Sequence, residues 1–141
     1  MNYWPAEVTN LSELHHNLLD YIYNEALVHT QWRENVYTVL RSADKRVNQK
    51  PGGFFCSTAN NIFGGGTEWK LQDYSVVNAW YCLHFYEHWL YTGDKRFLRE
   101  KALPVMLSAV EFWKNRLVRD DKDGKWICPR EFSPCLLYTS D

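Results

Sequence analysis

At 141 residues, with 45% apolar and 23% charged side chains, the chain has the composition of one compact folded domain and not of a disordered or collagen-like segment. Its 16 Lys and Arg against 17 Asp and Glu, a net charge of -1, are interspersed along the sequence and leave no basic face for nucleic acid. No run of about 18 apolar residues occurs and no basic-then-apolar leader opens the sequence, so neither a membrane span nor an export signal is expected.

Cys56, Cys82, Cys128 and Cys135 show no C-x-x-C pairing, and four cysteines in a chain of this size do not make a disulfide scaffold, so free thiols are expected. Aromatic residues reach 16%, with seven Trp and nine Tyr. Such rings fill cores, and their apolar faces and polar tips also suit a sugar, which carries one apolar face and a rim of hydroxyls.

Taken in chain order, Leu11, Leu14, Leu18, Leu19 and Ile22 recur at helical spacing behind Asn10 and Glu13, which read as a capping box; a helix over 11–25 is predicted. Trp32, Val36, Val39, Leu40 and Ala43 continue the period in a second helix, close enough in sequence to fold back on the first. Between Pro51-Gly52-Gly53 and Gly64-Gly65-Gly66 lies Phe54 to Phe63 without helical period, so residues 51–75 read as a long loop of the kind that carries function. Helical period returns over 76–91. Gly93 and Asp94 read as a stop and a new start, and Pro104 suggests a short turn over 95–102 before a longer helix. Asp120 to Lys125 is a polar turn, with Trp126-Ile127-Cys128 as a short extended stretch. The helices carry wider apolar faces than two hairpins would cover, which points to further neighbouring helices.

Cys135-Leu136-Leu137-Tyr138-Thr139-Ser140-Asp141 resembles the translation of a transposase adapter used in sequencing libraries. Residues 135–141 are therefore expected to be a scar and residues 1–134 natural sequence.

Three blocks carry a family resemblance. Met1-Asn2-Tyr3-Trp4-Pro5-Ala6-Glu7-Val8-Thr9-Asn10-Leu11-Ser12-Glu13 resembles the start of the catalytic domain in glycoside hydrolase family 95, whose members include α-L-fucosidases and α-L-galactosidases. Asn78-Ala79-Trp80 through His84 to Glu87-His88-Trp89, followed by Thr92-Gly93-Asp94-Lys95, resembles a helix and turn of that family. Phe132-Ser133-Pro134 resembles the segment before its general acid. The resemblance implies an all-α fold, a partial (α/α)6 barrel of about two helical hairpins and a long loop. It also implies an inverting glycosidase as the parent protein, without cofactor or metal, acting on an oligosaccharide or glycan. Inversion needs a carboxylic acid on one side of the sugar and a base-activated water on the other. The family's acid Glu falls where Cys135 stands, and its Asn base and activating Asp fall outside these residues, so no catalytic group is assigned here. The resemblance favours an extracellular or periplasmic place for the parent enzyme over a cytoplasmic one, and leaves oligomeric state open.

Trp4, Asn60, Asn61 and Trp80 are the candidate substrate-binding residues. Asn60 and Asn61 have turn formation as the competing role, and the two tryptophans have core packing. Where many members of the family carry His-His-Asn-Thr-Asp, this chain reads Ser57-Thr58-Ala59-Asn60-Asn61, so α-L-fucose is the leading choice, with α-L-galactose or another sugar open. Glu7 is a candidate to support the site from behind, with a solvated or helix-capping role as the alternative. Two rival readings stand beside the glycosidase. His84-x-x-Glu87-His88 matches an inverted zinc-peptidase motif, and the whole chain could be a non-catalytic helical sugar-binding module.

Overall fold

The computed structural model describes residues 3–34, 36, 52–56, 60–61 and 74–129. Over these the regular elements are helices apart from one pair of two-residue strands. Helix α1 spans Pro5–Val8 and α2 spans Ser12–Tyr23, running on as a π-helical turn over Asn24–Val28. Helix α3 is Val77–Thr92 and α4 is Lys95–Phe97; a π turn at Leu98–Ala102 leads into α5, Leu103–Arg116. Strands β1 (Val118–Arg119) and β2 (Trp126–Ile127) pair antiparallel, with Val118 opposite Ile127.

The helix junctions follow their residues. Asp94 caps α4 by accepting from the backbone N–H groups of Arg96 and Phe97, and Gly93 ends α3 at φ 63°, as their sequence predicts. Asn10 behaves differently. It sits at φ 59°, its N–H donates to the Glu7 carbonyl, and the Leu11 N–H donates to the Ala6 carbonyl. That is the hydrogen-bond pattern of a left-handed helix stop, so Asn10 closes α1 and does not cap α2. The first helix also runs to residue 28, beyond the expected 25. Residues 95–102 form the expected short helical stretch, and the longer helix begins at Leu103, beside Pro104. The π turn just ahead of it re-phases the backbone ladder where the proline offers no N–H and crowds the preceding carbonyls, and the helix continues. The expected second helix is described only at 31–34 and 36, where it is helical; Val39, Leu40 and Ala43 lie outside the described residues.

The larger of two apolar clusters among the described residues joins α2, α3, α4 and α5. Leu19, Ile22 and Ala26 from α2 and its π turn meet Phe85 of α3, Phe97 of α4, and Val105 and Ala109 of α5, together with Trp32, Phe54 and Cys56. Burying a side chain such as Phe85, which is fully enclosed, contributes on the order of 1.5–3 kcal/mol. Residues 52–56 of the long loop cross α5 so closely that only glycine fits at position 53: a Cβ there would lie 2.2 Å from the Ser108 carbonyl, and φ is +76°. Asn78 then fastens this segment, its amide donating to the Phe54 carbonyl at 3.0 Å while accepting from the Trp113 indole at 3.0 Å. The rest of that loop, apart from 60–61 and 74–75, lies outside the described residues.

The outer side of α5 is apolar and uncovered among the described residues. Leu103, Leu107 and Val110 are exposed, and Trp126 beside them is 61% exposed. This agrees with the expectation that the helices are shaped for further neighbours. None of the helices in the described residues is long and apolar enough to cross a membrane.

Candidate sugar-binding cavity and the polar cluster behind it

A cavity of about 310 Å³ opens where the long loop meets α2 and α3, lined by Tyr3, Asn17, Leu18, Tyr21, Asn60, Asn61 and Tyr81. Residues 17, 18 and 21 share one face of α2 by helical spacing. The loop is held to both helices, because the Tyr21 hydroxyl donates to the Asn61 carbonyl at 2.8 Å and Tyr81 hydrogen-bonds the Asn60 side chain. Burial, then the nearby Tyr81, Glu25 and Cys56, pushes the Tyr21 phenol above its ordinary value. Burial and Cys56 likewise raise Tyr81, against the lowering effect of its Asn60 bond. Both phenols are therefore neutral donors. With three phenols, three amides and one leucine, the wall offers hydrogen bonds and an apolar patch but no formal charge. That arrangement can grip an uncharged polyol ring, and its size is at the small end of ligand pockets, about 300–1,000 Å³.

Of the four sequence candidates, Asn60 and Asn61 line this cavity and Trp4 and Trp80 do not. Trp4 is 40% exposed and Trp80 38% exposed, so neither is the core residue that the competing reading made it; Trp4 meets the edge of His84 with ring centroids 5.9 Å apart. Tyr3, Asn17, Tyr21 and Tyr81 went unidentified in the sequence. The signal for Tyr81 was helical phase: position 81, not its neighbour 80, turns toward the loop.

Beneath the cavity lies a buried polar cluster. The Glu7 carboxylate accepts from Nδ1 of His15 and Nδ1 of His88, each at 2.7 Å, and from the Ser12 hydroxyl at 2.5 Å. Nε2 of His15 in turn lies 3.0 Å from Nδ1 of His84. Glu7, His15, His84 and His88 are all buried, so Glu7 is neither solvated nor a helix cap but the centre of a network. Burial pulls its carboxyl upward, and the hydrogen bonds from Ser12, His15 and His88 together outweigh that, holding it below the ordinary carboxylate value. Burial first, and the facing His15 second, lowers His84 to about 4.

Ligand-type atoms of Glu7, His15 and His88 lie within 4.8 Å of one another. Such a set is chemically able to hold a metal ion, but the 2.7 Å separations are those of shared protons, whereas ligands around a tetrahedral zinc stand roughly 3.3 Å apart for bonds of ~2.0–2.1 Å. The carboxylate that converges with the histidines comes from α1. The His84-Glu87-His88 motif is therefore not the set that converges among the described residues.

Residues 1–140 match the model of the glycosyl hydrolase family 95 catalytic domain. The chain is 28% identical over 137 residues to the probable alpha-fucosidase A of Aspergillus niger, covering 96% of this chain and 16% of that protein. It is 27% identical over 146 residues to alpha-L-fucosidase 2 of Arabidopsis thaliana, covering 99% of this chain and 16% of that protein. A kojibiose hydrolase of Flavobacterium johnsoniae is 32% identical over 65 residues, 46% of this chain and 9% of that protein. The chain thus spans 16% of the length of the two fucosidases it resembles.

Proposed function

The chain belongs to glycosyl hydrolase family 95, and from that premise we propose that it forms part of the sugar-binding wall of an inverting glycosidase that removes terminal α-L-fucosyl, or α-L-galactosyl, residues from oligosaccharides or glycans. One observation carries the reading: the uncharged Tyr and Asn cavity at the junction of the long loop with α2 and α3. Its phenols and amides would take the hydroxyl rim of a neutral monosaccharide, and Leu18 would face an apolar edge such as the C6 methyl of a 6-deoxy sugar. An anionic sugar finds no cationic partner among these lining residues. The division of labour is that this segment binds, while the acid and the base come from elsewhere in the parent enzyme.

Titrating the isotope-labelled chain with methyl α-L-fucoside, methyl α-L-galactoside, kojibiose and methyl α-D-glucuronide tests this by NMR. Shifts at Asn60, Asn61, Tyr21 and Tyr81 with the first or second sugar, lost in Asn60→Ala, are expected. Shifts confined to other residues, or equal response to the glucuronide, would refute it. Saturable binding by a chain without hydrolytic partners is also what a stand-alone sugar-binding module would give. Hydrolysis by the full-length parent enzyme, lost when its family acid is replaced, separates the two.

A further inference from the structure

The cluster under the cavity has a direction built into it. A buried carboxylate accepts and cannot donate, so with Ser12, His15 and His88 all aimed at Glu7 the Nδ1 atoms of both histidines must carry hydrogen. In a neutral His15 ring that leaves Nε2 as an acceptor, and the nitrogen facing it, Nδ1 of His84 at 3.0 Å, is then the donor. Five polar groups thereby find partners in a place where apolar side chains would fill the volume at no desolvation cost. What the cluster adds over packing is orientation.

The thing oriented is the segment that precedes α1. The Tyr3 ring stacks on His15, with centroids 6.0 Å apart and planes 17° from parallel, and Trp4 rests on His84. Tyr3 lines the cavity, whereas Ser12, Glu7, His15 and His84 do not. We propose that Ser12, Glu7, His15 and His84 form a hydrogen-bond relay of fixed polarity that holds Tyr3 in the cavity wall, and so act as positioning residues for sugar binding. The link to sugar rests on the function proposed above; the relay itself does not.

Two measurements test it on the intact chain. Nitrogen-15 spectra of labelled histidines should show hydrogen on Nδ1 of both His15 and His84. Hydrogen on Nε2 of either ring, or a stoichiometric zinc ion in the purified chain, would overturn the relay. The second measurement compares His84→Phe with His84→Asn. Phenylalanine keeps an aromatic ring against Trp4 but cannot donate to His15, while the asparagine amide nitrogen occupies the place of Nδ1 and can. If His84 only fills space, phenylalanine is the better substitute; if it is a donor, asparagine is. His84→Phe is expected to weaken binding of methyl α-L-fucoside about fivefold, in keeping with the loss of one hydrogen bond, and to displace the Tyr3 ring signals, with His84→Asn near the unaltered chain in both. The reverse order, or no difference from the unaltered chain, would overturn the proposal. If the unaltered chain binds no sugar, the proposed function falls, and the Tyr3 signals must still follow the same order for the relay to stand.

Discussion

Acid should unfold this protein through His84. The ring is 6% exposed, faces His15 from α2 with Glu7 of α1 behind it and His88 on its own helix, and titrates near 4 against an ordinary 6.5. At ~1.4 kcal/mol for each tenfold change in proton affinity, that gap is worth about 3 kcal/mol. A histidine whose folded value lies below its unfolded one adds its full stabilisation above pH 6.5, and loses it as the pH falls toward 4. The unfolded chain binds more protons over that window, so stability rises with pH there by up to ~1.4 kcal/mol per pH unit. Glu7 works in the same sense further into acid: its stabilisation is present above 4.5 and fades as the pH falls through its lowered folded value. Urea unfolding followed by circular dichroism, at several values between about pH 4 and 7, should therefore show a slope that His84→Phe reduces by about one proton. Equal slopes in the two proteins would show that the ring is not held neutral by its surroundings and would refute the reasoning.

Two glycines with similar positive φ, +76° at Gly53 and +63° at Gly93, should respond differently to alanine. Gly53→Ala drives a Cβ into the Ser108 carbonyl and the Phe112 amide and should cost at least about 3 kcal/mol, whereas Gly93→Ala meets nothing within 4 Å and should cost about 1 kcal/mol; equal losses on melting would contradict this. Replacing Leu107 and Trp126, 65% and 61% exposed, by glutamine should reduce binding of a hydrophobic dye without lowering the melting temperature; a lowered melt would show that these residues are covered. Because Cys135 occupies the position that the resemblance gives to the acid, the chain by itself should hydrolyse an aryl α-L-fucoside no faster than buffer does, and measured turnover would refute that assignment.

The helical architecture was legible because apolar spacing at Leu18, Leu19 and Ile22 and the Gly93-Asp94 punctuation are local signals with local causes. Asn10 was misread for an equally local reason: asparagine favours both a helix start and a left-handed stop, and only the Leu11 to Ala6 hydrogen bond separates them. Two of the seven cavity residues were readable, Asn60 and Asn61, since a polar pair in a long glycine-flanked loop draws attention. Tyr21 and Tyr81 were hidden among many aromatics, where facing the cavity or the solvent is decided by tertiary phase. Glu7 joining His15 and His88 is a contact across 8 and 81 residues of sequence, beyond the reach of any spacing rule.

Tyr81 belongs to two structures at once. Its ring stacks on the fully buried Trp32, which stacks in turn on Phe54, so the floor of the cavity is also the end of a three-ring column through the protein's interior. A change of ligand preference that passed through Tyr81 would have to rebuild that column. Asn17 is no part of that column, and an engineer or a diverging lineage would find more room to retune the cavity there.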